Sequence, residues 1–114
     1  MSARREVEFP WVDGTTVRSR PTLLKLSQVE TRFGSALKLI ARLHPFDLQL
    51  TTELIPLLTI ILRGCDGVPK REGEIMEALF DMDYLQLVAP AIEWLGVGFT
   101  VDNPPPAKDA PKGN

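Results

Sequence analysis

Residues 21–34 read Pro21-Thr22-Leu23-Leu24-Lys25-Leu26-Ser27-Gln28-Val29-Glu30-Thr31-Arg32-Phe33-Gly34, and this stretch decides the fold class. Leu23, Leu26, Val29 and Phe33 return at steps of three and four residues, the spacing that lines one side of an α-helix. Thr22 offers a hydroxyl to the unpaired N–H groups at the helix start. Gly34 has the backbone freedom to end the helix in a left-handed turn.

Toward the N-terminus the period changes from 3.6 to 2. Val7, Phe9 and Trp11 alternate with Glu6, Glu8 and Pro10, which predicts a strand with one buried face, held to a sheet edge by its proline. Asp13-Gly14 is a hairpin turn signal, and 15–20 supplies a β-branched return strand. A hairpin over 5–20 follows. A three-residue or bulged connection is favoured over a two-residue loop because it sets Val17 opposite Trp11 on the same face.

Toward the C-terminus the pattern stays helical. Ser35 can cap a short second helix with Leu37, Ile40 and Leu43 inward, Lys38 and Arg42 outward, and Pro45 as its stop. Thr51 and Thr52 open a third, where Pro56 falls early enough for its missing N–H to be harmless. Leu54, Leu57, Leu58, Ile61 and Leu62 make it very apolar, and Gly64 ends it. Ile75 with Leu79 and Met76 with Phe80, each pair four apart, predict a fourth helix within 74–80. Asp83 caps a fifth over 84–95, with Leu85, Val88, Ile92 and Leu95 on one stripe, a kink at Pro90 and Gly96-Val97-Gly98 as its C-cap. From residue 102 the chain turns proline-rich, with no apolar side chain larger than proline, and is expected to be extended and unfolded.

The expected architecture is therefore mainly α: an N-terminal β-hairpin and a compact bundle of four to five short helices over 1–101, then a disordered Pro-rich tail over 102–114. Leu26, Phe33, Leu58, Ile61, Leu79 and Ile92 are the expected core. The length of 114 residues and the 44% of hydrophobic residues suit one domain with one core.

The chemistry-bearing residues are few. Cys65 is the one cysteine, which excludes an internal disulfide and suits a reducing cytoplasm. It follows a helix end, where the dipole disfavours a thiolate, so an idle thiol is expected. His44 is the one histidine, placed before Pro45, where it suits a helix C-terminus better than catalysis. Asp81 and Asp83 lie two apart without EF-hand spacing and read as helix-start carboxylates. No nucleophile has a base at a recognisable spacing, so neither an enzyme nor a cofactor nor a metal is expected. The longest apolar run, 54–62, falls short of the roughly 18 residues that cross a bilayer, and the first residues do not read as an export signal.

Charge is more informative. Residues 1–44 hold eight basic and four acidic side chains, and residues 45–114 hold five and eleven. The halves thus carry +4 and −6 within a net charge of −2. Such polarity suits docking to another chain or self-association into a homo-oligomer. Arg32, Lys38 and Arg42, facing outward around Gly34, are the expected partner-binding residues. Their helix–glycine–helix setting is superficially that of a helix-turn-helix, but a short second helix and an overall negative charge argue against a small DNA-binding regulator and against nucleic acid as a partner.

The order of parts resembles a known family. The stretch 16–34, a strand with a charged glycine-containing turn before it and a leucine-rich helix carrying Glu30 and Gly34, resembles the opening of the small tail assembly chaperones of tailed phages, the family shared with gene transfer agents. The apolar helix ending Ile61-Leu62-Arg63-Gly64 and the last helix over 85–95 are similar to later parts of that family, so the likeness spans about 6–99. The short second helix with His44-Pro45, Pro90 and the Pro-rich tail depart from it. The resemblance implies a non-enzymatic helper in the host cytoplasm that binds the tape-measure protein, with tail tube subunits as further clients, during tail morphogenesis. The alternative it leaves is a minor structural subunit of the phage tail or gene transfer agent particle. On this reading the apolar third helix, with Met76 and Met82, is a candidate docking groove as well as core.

Overall fold

The computed structural model describes residues 4–43 and 47–99. Two strands, β1 (Val7–Pro10) and β2 (Thr16–Ser19), precede five helices, α1 (Leu23–Phe33), α2 (Ala36–Leu43), α3 (Ile55–Leu62), α4 (Glu72–Asp81) and α5 (Val88–Phe99). A π turn at Leu50–Leu54 leads into α3, and a 3-10 turn at Tyr84–Leu87 leads into α5. The mainly helical class with an N-terminal hairpin is as expected from the sequence. His44, Pro45 and the Pro-rich tail over 102–114 lie outside the described residues.

The hairpin closes through a three-residue loop, Val12, Asp13 and Gly14. Trp11 N–H donates to Thr15 O at 2.9 Å, Gly14 N–H donates to Trp11 O at 3.0 Å, and Gly14 takes φ of 84°, a conformation open to glycine. The Asp13 carboxylate accepts the Thr15 hydroxyl and its N–H, bonds that hold it below the usual carboxylate range. The expected bulged connection is present, but Val17 pairs with Phe9 and not with Trp11. Because the register differs by two residues, the pleat is conserved and Val7, Phe9, Trp11 and Val17 are all buried on one face.

Helix ends follow local chemistry. Thr22 Oγ1 accepts Lys25 N–H at 3.3 Å, and Gly34 closes α1 at φ 81° with its N–H on Glu30 O at 2.8 Å. Ser35 Oγ accepts Lys38 N–H at 3.4 Å ahead of α2, and Gly64 turns the chain after α3 at φ 83°. Asp83 departs from expectation, since its side chain caps no N–H and instead accepts from Gln86 Nε2 at 3.2 Å.

The centre of the domain is α3. Of its eight residues, Ile60 alone is not fully buried, so the helix is apolar on every side and must be enclosed. It packs against β2, α1, α4 and the π turn, while α5 packs against α2, β1 and the 3-10 turn. Thr59, polar and buried, returns its hydroxyl to Ile55 O at 2.7 Å. This enclosure overturns α3 as a docking groove. Leu58, Ile61 and Leu79 are fully buried as expected, whereas Leu26, Phe33 and Ile92 are half-buried and pack against the core.

Two helical faces are rotated from their expected positions. The inward line of α1 runs through Leu26, Val29 and Phe33 and meets Thr22 one turn earlier, so Leu23 falls beside it, largely exposed. In α2, Ala36, Leu39 and Leu43 face the core and Leu37 faces solvent. Near the C-terminus the expected helix is split. Pro90 occupies the third position of α5, in a first turn that tolerates its missing N–H, and the residues before it form the 3-10 turn. That tighter winding shifts the phase. Leu87, Ala91, Trp94, Leu95 and Gly98 are buried, and Leu85 is exposed. Gly96 and Gly98 lie within α5 and are not a C-cap.

A chain of buried polar contacts joins these layers. Trp94 Nε1 donates to Ser19 Oγ at 3.0 Å, Ser19 Oγ donates to Ile61 O at 2.6 Å, and Lys25 Nζ donates to the same carbonyl at 2.7 Å. Ser19 and Trp94 are almost completely buried. Replacing Ser19 by alanine leaves the indole N–H without an acceptor, a loss of about 1–3 kcal/mol. Thermal melting should show Ser19→Ala well below the wild type, with Trp94→Phe added to it costing less than the two separate losses combined. The two glycines of α5 give a matched pair. A Cβ on Gly98 would stand 2.6 Å from Leu26 Cδ2 and 3.1 Å from Pro21 Cβ, whereas one on Gly96 meets nothing within 4 Å. Gly98→Ala should lower stability by about 1–3 kcal/mol, and Gly96→Ala should raise it by up to about 1 kcal/mol, both read from denaturant midpoints.

Candidate functional site

The expected partner-binding residues are divided by the fold. Arg32 and Arg42 line one surface cleft of about 500 Å³ with Phe33, Gln49, Thr52 and Glu53. Lys38 stands apart from it on the outer side of α2, beside exposed Leu37 and Ala41. A second cleft of about 280 Å³ opens on the other flank of Arg32, between Gln28 and Thr31 of α1 and Ile60 and Arg63 of the α3 end. Arg32 is thus the side chain common to both depressions.

Two arginines line the cleft, and one of them serves a carbonyl that a proline leaves without its helical donor. Pro56 has no N–H to give to Thr52 O four residues back, and Arg32 Nη2 donates to that carbonyl at 3.1 Å. The Arg32 guanidinium also lies 5.8 Å from the Phe33 ring centroid, within cation–π range. Arg42 makes a two-pronged ion pair with Glu53, Nη1 to Oε2 and Nη2 to Oε1, each 2.7 Å. Its Nε donates to Asp47 O at 3.1 Å, and Glu53 also accepts Gln49 N–H at 2.9 Å. These bonds fasten the π turn to α2. The Arg42 guanidinium and the Gln49 N–H hold the Glu53 carboxyl far down, at about 2 against an ordinary 4.5, and the same pairing raises Arg42. Arg42 is therefore a fastener within the fold, with its fork already filled.

The remaining basic residues of the first half, Lys38 apart, are also engaged. Arg5 pairs with Glu93 at 2.7 Å, Arg18 with Glu8 at 3.2 Å and Arg20 with Glu6 at 3.7 Å. Arg4 Nε donates to Val97 O at 3.2 Å. Lys25, half-buried on Ile61 O, is pushed below its usual pKa by desolvation. Among residues 4–43, Lys38 is the basic side chain whose ammonium has no partner among the described residues. Half of the eight basic side chains of residues 1–44 are thus paired with carboxylates, and Arg4, Lys25 and Arg32 are held on backbone carbonyls.

Cys65 is half-buried, with its Sγ 3.7 Å from Lys25 Nζ, a packed position at the α3 end that sequence reasoning read as an idle thiol. Asp81 and Asp83 are exposed, and among the described residues no group of three or more His, Cys, Asp or Glu side chains is placed to hold a metal. No helix among the described residues is long and apolar enough to cross a membrane. The surface that sequence reasoning missed is apolar: Leu23, Leu24 and Leu37 are 84%, 69% and 80% exposed on two helices that pack together. Their helical periodicity had marked two of them as core.

Comparison with known proteins finds no family model that matches the chain, and no curated protein or solved structure that matches it.

The unequal roles of Lys38 and Arg42 are testable. Lys38→Ala should leave the melting temperature unchanged, while Arg42→Ala should lower it by releasing the π turn. The Glu53 carboxyl is depressed in the folded state, so its contribution is fully present above about pH 4.5 and is lost as pH falls toward about 2. Acid titration of stability should therefore be shallower over this window in Arg42→Ala than in the wild type.

Proposed function

We propose that this chain is a tail assembly chaperone that binds the tape-measure protein during tail morphogenesis. The reading rests on the resemblance over about 6–99, and one structural observation supports it above the others: three leucines, Leu23, Leu24 and Leu37, are held in solvent on α1 and α2. A helper of this kind holds long apolar helical segments of its client until they are assembled, and leucines exposed on its surface suit contact with such segments. Lys38, next to Leu37 and uncommitted, adds a charge that steers the encounter. Arg32, reaching into both clefts, marks their shared rim. Arg42 acts indirectly by holding that rim in place.

The test is co-expression with the tape-measure protein of the same tail gene cluster. The client should become soluble and co-purify, and capture should weaken as salt rises from about 0.1 M to 1 M, where the Debye length falls from about 10 Å to about 3 Å. Replacing Leu23, Leu24 and Leu37 together by serine should abolish capture while circular dichroism stays unchanged. A client that stays insoluble and unbound, together with this chain present in purified particles at fixed stoichiometry, would replace the chaperone reading by that of a tail structural subunit.

A further inference from the structure

Lys25 and Cys65 are two nucleophilic side chains that the fold brings together at the end of α3. Lys25 Nζ lies 3.7 Å from Cys65 Sγ, although forty residues separate them in the chain. Both turn toward one oxygen: Lys25 Nζ donates to Ile61 O at 2.7 Å, and Cys65 Sγ lies 3.9 Å from it. Their backbones are pinned as well. Lys25 sits in the first turn of α1 with its N–H on Thr22 Oγ1 at 3.3 Å, and Cys65 follows Gly64 with its N–H on Leu62 O at 3.1 Å. The approach is therefore set by the packing of α1 on α3. Both residues are half-buried, so the pair is sheltered from bulk water but within reach of a small solute.

We propose that Lys25 and Cys65 form a covalent bridge, a sulfenamide between Nζ and Sγ, when the protein meets hydrogen peroxide. In the first stage the Cys65 sulfur attacks one peroxide oxygen, the O–O bond breaks and water leaves, giving a sulfenic acid. Sulfur is oxidised by two electrons and the peroxide is reduced by two. In the second stage the Nζ lone pair attacks that sulfur, the S–O bond breaks, and the hydroxyl departs as a second water with a proton from the nitrogen. One peroxide is consumed, two waters form, and the protein loses one hydrogen from the thiol and one from the amine.

Three observations favour the bridge over the other fates of a sulfenic acid. Cys65 is the one cysteine of the chain, so no internal thiol can resolve the sulfenic acid as a disulfide. Burial pushes the Lys25 amine below the usual lysine range, so more of it is neutral and carries the lone pair that the attack needs. The Ile61 carbonyl accepts one N–H of that amine and leaves the lone pair unengaged, while holding nitrogen beside sulfur at a high effective concentration. The bridge ties the start of α1 to the end of α3. Thiols reverse it: one thiol attacks the Cys65 sulfur and releases the amine, which takes up the thiol's proton, and a second displaces Cys65 from the mixed disulfide.

Intact-mass spectrometry and tryptic mapping of the full chain after treatment with hydrogen peroxide test this directly. The wild type should become lighter by two hydrogens, lose tryptic cleavage after Lys25, and yield one cross-linked peptide that holds Lys25 and Cys65. A thiol reductant should restore both the mass and the cleavage. Cys65→Ser should lose the bridge. Lys25→Arg, which keeps a donor for the Ile61 carbonyl, should also lose it with unchanged circular dichroism, and its Cys65 should pass on to the sulfinic and sulfonic acids. Lys70→Arg should bridge as the wild type does. A wild-type product that only gains oxygen, with Lys25 still cleaved by trypsin, overturns the proposal. So does a disulfide-linked dimer as the main product, or a bridge that persists in Lys25→Arg. The wild-type peptide map decides the case without any variant. No client protein enters these measurements, so the proposal and the chaperone reading stand or fall separately.

Discussion

The hydroxyl of Ser19 accepts a hydrogen bond from the Trp94 indole N–H and donates one to the Ile61 carbonyl, and the assembly of layers depends on that pair of bonds. One strand, the central helix and the last helix meet at a single oxygen. The surroundings are apolar and closed to water, so each polar group there must find its partner within the protein. The Ile61 carbonyl, at the end of α3, has its second acceptor position taken by Lys25, which brings α1 to the same point. A cation there also suits the negative end of the helix dipole. The register of the hairpin against α3 is thereby fixed by directional bonds, while the apolar side chains around it supply the bulk of the driving force.

The enclosed character of α3 explains the rest of the architecture. A helix apolar on all sides needs a cover on all sides, and the hairpin, α1, α4 and the π turn provide it. Pro56 would interrupt an ordinary helix starting at Leu50. The chain instead enters through a π turn, and the carbonyl left without its usual N–H is taken by Arg32. Arg42 then ties the turn to α2 through Glu53. A local backbone irregularity and two distant arginines thus form one device, and the clefts beside Arg32 are its outward consequence.

This use of charge redirects the search for function. The sequence suggests a basic half facing an acidic half, but four of the basic side chains are ion-paired, Arg18 and Arg20 within their own half and Arg5 and Arg42 with carboxylates of the other. What remains uncommitted is a lysine beside exposed Leu37 on α2, two exposed leucines at the start of α1, and an acidic helix with an exposed phenylalanine. These are different chemistries on different elements.

The sequence by itself determined the features whose cause is local. The alternation at Val7, Phe9 and Trp11, the cap at Thr22, the stops at Gly34 and Gly64, and the continuous apolar run through Leu57, Leu58 and Ile61 each specify their own backbone, so the hairpin and the helices were legible. The outward orientation of Lys38 was legible in the same way. Tertiary structure alone decided which side of an apolar helix met the core, because periodicity fixes a helical face only to within about one residue. Leu23, Leu37 and Leu85 fell outside, and Leu87, Trp94 and Gly98 fell inside. It also decided that Arg42 finds Glu53 eleven residues away, that Ser19 finds Trp94 seventy-five residues away, and that Gly98 meets Leu26. Those pairings depend on how the elements cross, and no local pattern encodes the crossing.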